Sequence, residues 1–402
     1  MFNNSIETEI GNCVLWSHGI SVGERYLGHI YLLEEHILLV RIGFDSSYLT
    51  ADAVHSAAYF MQVFTGILSK KLPQHDDFTV VVDCLIHEDP PSRNFVYEFA
   101  HALSKYFSTS NKVIMVYNNC DFNLAETVPE IPNTIFLGVN YFCVLCYYYY
   151  SNWNFSWKPT EDILLLLGKP YKYNRLPLLY LFWQNNLVKN LRYSFSPVPY
   201  INNEQLNQGS WIKEGIDLLE KNTEYCTTDF DYEQWAHSMF STLDRPLTED
   251  TGVTNNFNGT DVCKTVYDGA CIEVVSETHY NKPRFLTEKT YRPLMVGIPL
   301  LHAGYAFSEQ LTKLGLRNYE PFTDHDCVCS GESAHHKVQM PKTVNAVKYF
   351  IENADHYQEQ ILDCVHHNRT TVINIATENK NKLLEMVSGR QDAVDAFFIV
   401  GK

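Results

Sequence analysis

The sequence has few basic residues for its length. Its 402 residues include 31 Lys and Arg against 47 Asp and Glu, which gives a formal net charge of −16. A broad nucleic-acid-binding surface needs clustered Lys and Arg to meet the phosphates. The charge balance therefore excludes such a surface and leaves room only for local basic pockets.

Long apolar stretches and targeting signals are also missing. No apolar run approaches the roughly 18 residues of a membrane-spanning helix, and the first ten residues lack the basic and then apolar pattern of a secretory signal. We therefore expect a cytoplasmic protein with no membrane span. The 11 cysteines are scattered, some in apolar segments typical of strands such as 81–85 and 140–146. Free thiols in a reducing compartment are the expectation.

Common catalytic signatures are absent as well. The chain has no Gly-x-Gly-x-x-Gly after a strand, no Walker loop, no Gly-x-Ser-x-Gly and no His-Glu-x-x-His, which excludes dehydrogenase, NTPase, esterase and zincin chemistry. The segment 325–329 with His335 and His336, and the pair Cys143 and Cys146, lack the paired spacing of a zinc ribbon or finger. We expect no metal site.

The sequence does contain an alternation of segments typical of strands and helices. Strands are predicted at 36–42, 78–85, 112–117, 135–139, 163–167, 270–276 and 297–302. Helices are predicted at 51–72, 92–107, about 175–186, 211–220, 307–314, 343–373 with a break, and 377–387. The helix at 175–186 is expected to be amphipathic. This alternation predicts parallel α/β sheets, and 402 residues with 45% apolar content suffice for about two domains.

Two stretches between these segments have no clear periodicity. Residues 151–160, which follow the aromatic run 147–150 and are rich in Trp, Asn and Pro, are predicted to be the interdomain linker. Residues 197–260 are polar and, apart from the helix near 211–220, are expected to be irregular surface insertions.

One segment combines two carboxylates and two cations beside a predicted helix start. Ser276, Glu277 and Thr278 are followed by six spacer residues and then by 285–293, Phe-Leu-Thr-Glu-Lys-Thr-Tyr-Arg-Pro. At a turn between a strand and a helix, a carboxylate can accept hydrogen bonds from sugar hydroxyls while a cation meets a diphosphate.

A simpler interpretation fits the same residues. Thr287 could cap an ordinary helix whose first turn holds the acid Glu288 and a solvated Lys289. Pro293 then predicts that the helix either begins later or is kinked, because proline removes an interior hydrogen bond.

This segment and the sequel 297–304, Gly-Ile-Pro-Leu-Leu-His-Ala-Gly, resemble the C-terminal signature of fucosyltransferase-like glycosyltransferases of the GT-B class, the exostosin/fucosyltransferase type. The match is closest to uncharacterised viral and bacterial members, in which the signature continues as it does here at 311–316. The resemblance covers residues 161–330, and the N-terminal part is similar only in architecture.

The resemblance implies two Rossmann-like α/β domains facing across a cleft. Residues 1–155 would form the acceptor-side domain and 161–375 the domain that holds the nucleotide-sugar. Residues 376–402 would form a helix and tail that pack back on the first domain.

The resemblance also implies roles for individual residues. Glu288 would bind donor hydroxyls and Lys289 the diphosphate. The full predicted donor-binding set is Lys169, Arg175, Glu277, Thr278, Thr287, Glu288, Lys289 and Arg292. Thr278 stands where related fucosyltransferases usually carry asparagine, so GDP-fucose is not implied as the donor.

A second basic segment follows the strand predicted at 163–167. Lys169, Lys172 and Arg175 lie within seven residues, in a loop similar to the Asn-x-Lys-Pro-x-x-x-Arg pattern of the family, with Leu167 and Gly168 departing from it. A guanidinium at a helix start can bind two phosphate oxygens, so Arg175 is the predicted diphosphate clamp. A solvated basic turn is the alternative.

An inverting transfer also needs a carboxylate base on the acceptor side. Because ligands in open α/β sheets lie beyond the carboxyl ends of strands, the candidates are Asp83, Glu88, Asp89 and Asp121.

The sequence therefore predicts transfer of a sugar from a nucleotide-sugar to a hydroxyl of a glycan, glycolipid or protein, with no obligatory metal or cofactor. If the chain is viral, the reaction would occur in the host cytoplasm. One alternative is a non-catalytic binding or structural protein that keeps the fold. The other is a glycosyltransferase acting on DNA bases, against which the net charge argues.

Overall fold

The computed structural model describes the chain in ranges separated by gaps. The described residues are 5–10, 13–18, 20–22, 25–33, 37–42, 61, 79–84, 93–107, 112–118, 129–153, 156–168, 175–195, 200–201, 204–205, 266–277, 286–303, 307–323, 336–387, 391, 394 and 398. The chain divides into two compact units, Met1–Val144 with Thr377–Lys402 and Leu145–Ala376. The domain limits inferred from the sequence stay a prediction.

The first unit contains a hairpin and a six-stranded sheet. The hairpin pairs β1 (Ser5–Ile10) with β2 (Cys13–His18). The sheet strands are β3 (Ile20–Val22), β4 (Arg25–Leu33), β5 (Ile37–Ile42), β6 (Thr79–Asp83), β7 (Lys112–Asn118) and β8 (Thr134–Val139). They lie in chain order, antiparallel from β3 to β5 and parallel from β5 to β8.

Helix α1 (Arg93–Tyr106) packs against β7 through an apolar stripe. The stripe consists of the buried residues Val96, Phe99, Ala100 and Leu103. Their spacing of three and four residues is that of one helix face. β6 and β7 are almost wholly buried, as expected for interior strands of a parallel sheet covered on both faces.

The second unit contains a four-stranded parallel sheet. Its strands are β9 (Asp162–Gly168), β10 (Leu191–Phe195), β13 (Ala270–Val275) and β14 (Leu300–His302). Two short strands, β11 (Tyr200–Ile201) and β12 (Glu204–Gln205), pair separately as an antiparallel hairpin. The spatial order of the parallel sheet is β10, β9, β13, β14.

Helices precede and follow these strands. They are α2 (Tyr141–Tyr150), α3 (Arg175–Gln184), α4 (Glu288–Val296), α5 (Phe307–Lys313), α6 (His336–Asn353) and α7 (Gln358–Met386), with 3-10 turns at Val188–Asn190 and Glu320–Phe322. α4 packs against β13 and β14, and α6 packs against α3, β13 and β14. The division between the units falls inside α2 and α7.

The α/β class predicted from the sequence is confirmed, and most predicted strands and helices within the described residues are found. The structure adds the antiparallel strands β1–β4 and the strand β10, which the sequence had not indicated. The predicted helices at 51–72 and 211–220 lie outside the described residues, where only the single helical residue Met61 is described.

Several predictions about single elements were wrong. The segment 140–146 is not a strand, because Tyr141–Tyr150 forms a helix; a continuous apolar and aromatic run has no periodicity that separates a buried helix from a strand. The hairpin at 200–205 lies in the stretch expected to be irregular. The helix predicted at 377–387 is the end of the continuous α7, and strand β14 begins only at Leu300, because Gly297 caps α4.

Helix α3 also differs from its prediction. It was expected to be amphipathic, yet the five consecutive residues 178–182 are all buried. A helix that is apolar all round is one covered on all sides. Among the helices that the structure describes, none is both long and apolar enough to cross a membrane.

Candidate functional site

The site is built around the carboxyl end of β13, where Glu277 is buried and hydrogen-bonded to the start of α4. Its carboxylate accepts hydrogen bonds from the Thr287 backbone N–H at 3.0 Å, from Thr287 Oγ1 at 2.6 Å and from Thr290 Oγ1 at 2.6 Å. Burial raises the pKa of Glu277, while the nearby Lys289 ammonium opposes that rise. Three donors on one carboxylate fix the first turn of α4 to the end of β13.

Thr287 is the N-cap of α4, as the sequence predicted. Its backbone is extended, and its Oγ1 accepts a hydrogen bond from the Lys289 backbone N–H at 3.3 Å. The side chain therefore donates to Glu277 and accepts from the helix, so one hydroxyl serves the cap and the carboxylate together.

The helix continues through Pro293 to Val296 and ends at Gly297. A helix that begins only after Pro293 is therefore ruled out. Gly297 has a φ of 92°, the left-handed conformation that commonly ends helices. The backbone carbonyl of Met295 near this end accepts a hydrogen bond from Arg369 Nε at 2.9 Å, and the same guanidinium bonds the carbonyl of Trp153 at 2.6 Å.

Glu288 and Lys289 occupy the first turn of α4 as a partly buried ion pair. Lys289 Nζ lies 2.7 Å from Glu288 Oε1, and the two side chains are only 14% and 11% exposed. Burial would raise the pKa of Glu288, but the Lys289 ammonium outweighs it, and the pKa is lowered. The interpretation of Lys289 as a solvated lysine is therefore wrong, because its charge is held against a carboxylate.

Arg292, one turn further along α4, is buried in a second polar cluster. Its Nη2 lies 3.0 Å from Glu273 Oε1, and its Nε donates to the Tyr267 hydroxyl at 2.5 Å. That hydroxyl donates to Glu273 Oε2 at 3.1 Å. Burial raises the pKa of Glu273, and the guanidinium opposes this. These contacts fasten α4 to the middle of β13, away from the first turn.

His302 extends the Glu277 network to the end of β14. Its Nε2 lies 2.8 Å from Thr290 Oγ1, and its ring stacks on Phe307 with centroids 4.5 Å apart. Burial lowers the pKa of His302 to about 3. Since the Thr290 hydroxyl proton is donated to Glu277, the hydrogen-bond network assigns the neutral His302 tautomer that carries its proton on Nε2.

The remaining predicted residues are distributed as follows. Arg175 is the first residue of α3 and is 4% exposed, so the interpretation of this residue as part of a solvated turn is wrong. Asp83 is the last residue of β6 in the first unit and is fully buried. The other predicted residues, which lie outside the described part of the chain, are Glu88, Asp89, Asp121, Lys169, Lys172 and Thr278.

The topology of the second sheet puts Glu277 just after β13 and Arg175 at the start of the helix that follows the neighbouring strand β9. β9 leads through α3 to β10 on one side, whereas β13 leads through α4 to β14 on the other side. The order of strands therefore reverses between β9 and β13, which are adjacent and parallel. In open α/β sheets, ligands bind beyond the carboxyl ends of the strands at such a switch point.

Sequence reasoning missed four members of these clusters: Tyr267, Glu273, Thr290 and His302. Thr290 lies one helical turn after the predicted cap, and His302 is a polar residue at the end of a predicted strand, so both carried a local signal. Glu273 and Arg292 are 19 positions apart, and nothing in the sequence pairs them.

Chemically, the arrangement offers carboxylate oxygens and an ammonium side by side at a helix N-terminus, and a buried guanidinium at the start of the helix that follows the neighbouring strand. Carboxylates can accept from hydroxyls, and the cations and helix N–H groups can meet an anion. Within the part of the chain that the structure describes, no group of three His, Cys, Asp or Glu side chains is arranged to hold a metal.

An open groove of about 730 Å³ elsewhere in the second unit contains none of the predicted site residues. It lies between the 3-10 turn Glu320–Phe322 and α7, and its polar lining includes the exposed ion pair of Arg317 and Asp363.

No model of a known protein family matches the chain, and no curated protein matches it. The resemblance to fucosyltransferase-like enzymes therefore depends on the residues quoted above alone.

Proposed function

We propose that the chain is a GT-B-type glycosyltransferase that moves a sugar from a nucleotide-sugar to an acceptor hydroxyl without an obligatory metal. The donor is held by the second unit, and the acceptor is a glycan, glycolipid or protein. The resemblance to fucosyltransferase-like enzymes suggests this reaction, and the geometry around α4 supports it.

One observation carries the proposal. Glu277 anchors the first turn of α4 by three hydrogen bonds, and this turn presents Glu288 and Lys289 together beside the switch point of a parallel sheet. A charged pair with little solvent exposure is costly to keep for stability alone. A ligand that has both hydroxyls and a diphosphate matches the two charges.

In the proposed reaction, the acceptor oxygen attacks the anomeric carbon of the donor sugar. A new carbon–oxygen bond forms while the bond between the sugar and the diphosphate breaks. A carboxylate base takes the acceptor proton, and the nucleoside diphosphate leaves with the bonding electrons. Glu288 accepts hydrogen bonds from donor hydroxyls, and Lys289 and Arg175 stabilise the charge that develops on the leaving diphosphate.

Asp83 fits the role of base less well than its position in the sequence suggested. A general base must come within hydrogen-bond reach of the acceptor hydroxyl, and Asp83 is fully buried. Glu88 and Asp89, which follow the same strand in the sequence, keep their place as candidates.

The experiment is a thermal-shift panel of UDP-, GDP- and CMP-sugars on the full chain. We expect at least one donor to raise the melting temperature, because a ligand at 100 times its Kd stabilises the folded state by about 2.7 kcal/mol. Glu288→Gln and Lys289→Gln should each remove most of this shift while leaving the fold intact.

Glu309 and Lys313 provide the matched control. They form an exposed ion pair on α5 with Nζ 2.6 Å from Oε1, so Glu309→Gln and Lys313→Gln remove the same charges from the same unit. These variants should keep the full donor-dependent shift. If no nucleotide-sugar stabilises the wild-type chain, the proposal is wrong and a non-catalytic binding protein becomes the better interpretation.

A further inference from the structure

Ser276, between β13 and Glu277, is a buried polar residue that the donor site described above does not use. Only 2% of the residue is exposed. Its Oγ atom is buried and has no hydrogen-bond partner among the residues that the structure describes. Buried hydroxyls in native proteins are nearly always hydrogen-bonded, so an exception calls for an explanation such as a bound ligand.

Strand alternation indicates the face of β13 to which Ser276, the residue directly after the strand, belongs. Successive residues of a strand point to opposite faces of the sheet. Glu273 and Glu277 both contact α4, through Arg292 and Thr287 respectively. Ser276, which is one residue from Glu277 and three from Glu273, therefore belongs to the opposite face.

That opposite face is the one covered by α3. Connections between parallel strands are right-handed in almost all proteins, and the two connections in this sheet run in opposite directions from the switch point. Hence α3 and α4 lie on opposite faces. Consistent with this, α6 packs against both α3 and the two strands β13 and β14.

The register places Ser276 level with the end of β9. Glu273 is paired with Leu164, so the residue three positions later lies beside the last residues of β9, about 4.8 Å away across the sheet. The ten-residue helix α3 begins after this strand with the buried Arg175. Ser276 therefore lies beside the carboxyl end of β9, the strand from which the chain leads to α3.

We propose that Ser276 and Arg175 form a phosphate subsite on the α3 face of β13. Ser276 Oγ donates a hydrogen bond to a phosphate oxygen, and the Arg175 guanidinium and the first-turn N–H groups of α3 bind the others. The groups on this face, a hydroxyl, a guanidinium and helix N–H groups, can all donate, which favours an anion over a sugar.

The proposal rests on the proposed function in one respect, because it takes the diphosphate of the nucleotide-sugar as the natural ligand. It places donor contacts on both faces of β13. On the α4 face Glu288 accepts from hydroxyls and Lys289 meets the diphosphate, and the hydrogen-bond donors on the α3 face bind further phosphate oxygens.

The test uses inorganic pyrophosphate as the probe, with the full chain and calorimetry at fixed ionic strength. We expect wild type to bind and Ser276→Ala to bind roughly tenfold more weakly, since a hydrogen bond to a charged group is lost. The melting temperature of Ser276→Ala without ligand should be unchanged or higher, because the variant removes a buried hydroxyl that has no partner. Ser276→Thr, which keeps the hydroxyl, should bind more tightly than Ser276→Ala.

Ser104→Ala is the control for loss of a serine hydroxyl. Ser104 Oγ donates to the Pro132 carbonyl at 2.7 Å in the first unit, so this variant should lose some stability and keep full pyrophosphate affinity. Ser276→Ala should instead bind pyrophosphate more weakly and lose no stability. This difference distinguishes a ligand contact from a structural hydrogen bond.

Three results would overturn the subsite: no binding of pyrophosphate by wild type, equal binding by Ser276→Ala, or a lower melting temperature of Ser276→Ala without ligand. The last would show that the hydroxyl has a partner within the protein. Failure of the proposed function is distinguishable. In that case pyrophosphate binds in a Ser276-dependent manner, but no nucleotide-sugar shifts the melting temperature.

Discussion

The parallel parts of the two larger sheets differ in how their strands follow one another. In the first unit, β5 to β8 are added one after another on the same side. In the second unit, the chain passes from β9 to β10 on one side and later from β13 to β14 on the other side. Among the described strands, only the parallel sheet of the second unit therefore has a switch point, where the strand order reverses.

Buried charge is distributed in the same unequal way. Among the described residues, the first unit buries one charged side chain, Asp83. The second unit buries Arg175, Glu273, Glu277, Glu288 and Arg292. Four of these five follow one another on β13, its end and α4.

The switch point and most of the described buried charges occur in the same unit. This is informative because the two features have different physical origins. The switch point is a property of chain topology, and it opens a crevice at the strand ends. Buried charges are costly unless they are paired. Three of the five, Arg175, Glu277 and Glu288, lie at the start of a helix or just after a strand next to the switch point, which is why we propose the donor site there.

Removal of Arg292 is expected to have the largest effect on stability. In Arg292→Ala, Glu273 stays buried without its cation, and we expect a loss of about 3–5 kcal/mol in the free energy of unfolding. Urea unfolding at pH 7 measures this loss.

Arg317→Ala is the control for that experiment. Arg317 pairs with Asp363 on the surface, where the two side chains are 49% and 74% exposed. The loss in this variant should be about 0–1 kcal/mol. Similar losses in both variants would mean that burial of the Glu273–Arg292 pair has no energetic consequence.

An intermediate effect is expected from His302, whose pKa burial lowers to about 3. In the unfolded chain the pKa is about 6.5, so the unfolded state binds the proton first as the pH falls. The contribution of neutral His302 to stability is complete above about pH 6.5 and is lost toward pH 3, at about 1.4 kcal/mol per pH unit.

His302→Gln tests this dependence. Its amide can still donate to Thr290, but it does not titrate. The loss of stability between pH 7 and pH 5 should be about 2 kcal/mol smaller in the variant than in wild type. Urea unfolding at both pH values gives the difference, and an equal loss in the two proteins would show that His302 is not held neutral by burial.

How far the sequence predicted these features depended on whether the signal was local. The strands β6, β7, β9 and β13 are short apolar runs rich in Val, Ile and Leu, and each was found within one or two residues. The stripe of α1 and the Thr287 cap also lie within single elements. Patterns of this kind follow from side-chain period and capping chemistry.

The features that the sequence did not predict are those that depend on contacts with residues far away in the sequence. The run 141–150 has no period, so only its burial by the rest of the chain makes it a helix rather than a strand. β10, Leu-Arg-Tyr-Ser-Phe, is a strand because it pairs with β9. In the site, the cap and its charged neighbours could be predicted, but the pairing of Glu273 with Arg292 and of Thr290 with His302 depends on tertiary packing.

The smallest expected effect on stability comes from the Thr287 cap. It tests whether this cap, which the sequence predicted, holds Glu288 and Lys289 in place. Thr287→Ala removes the hydroxyl, whose oxygen accepts from the Lys289 N–H and whose O–H donates to Glu277. Loss of this cap should cost about 1 kcal/mol in the free energy of unfolding, measured with urea. Thr287→Ser keeps the hydroxyl and should retain most of the stability and the donor-dependent thermal shift. If both variants lose the same stability, the methyl group and not the hydroxyl matters, and the cap does not hold Glu288 and Lys289 in place.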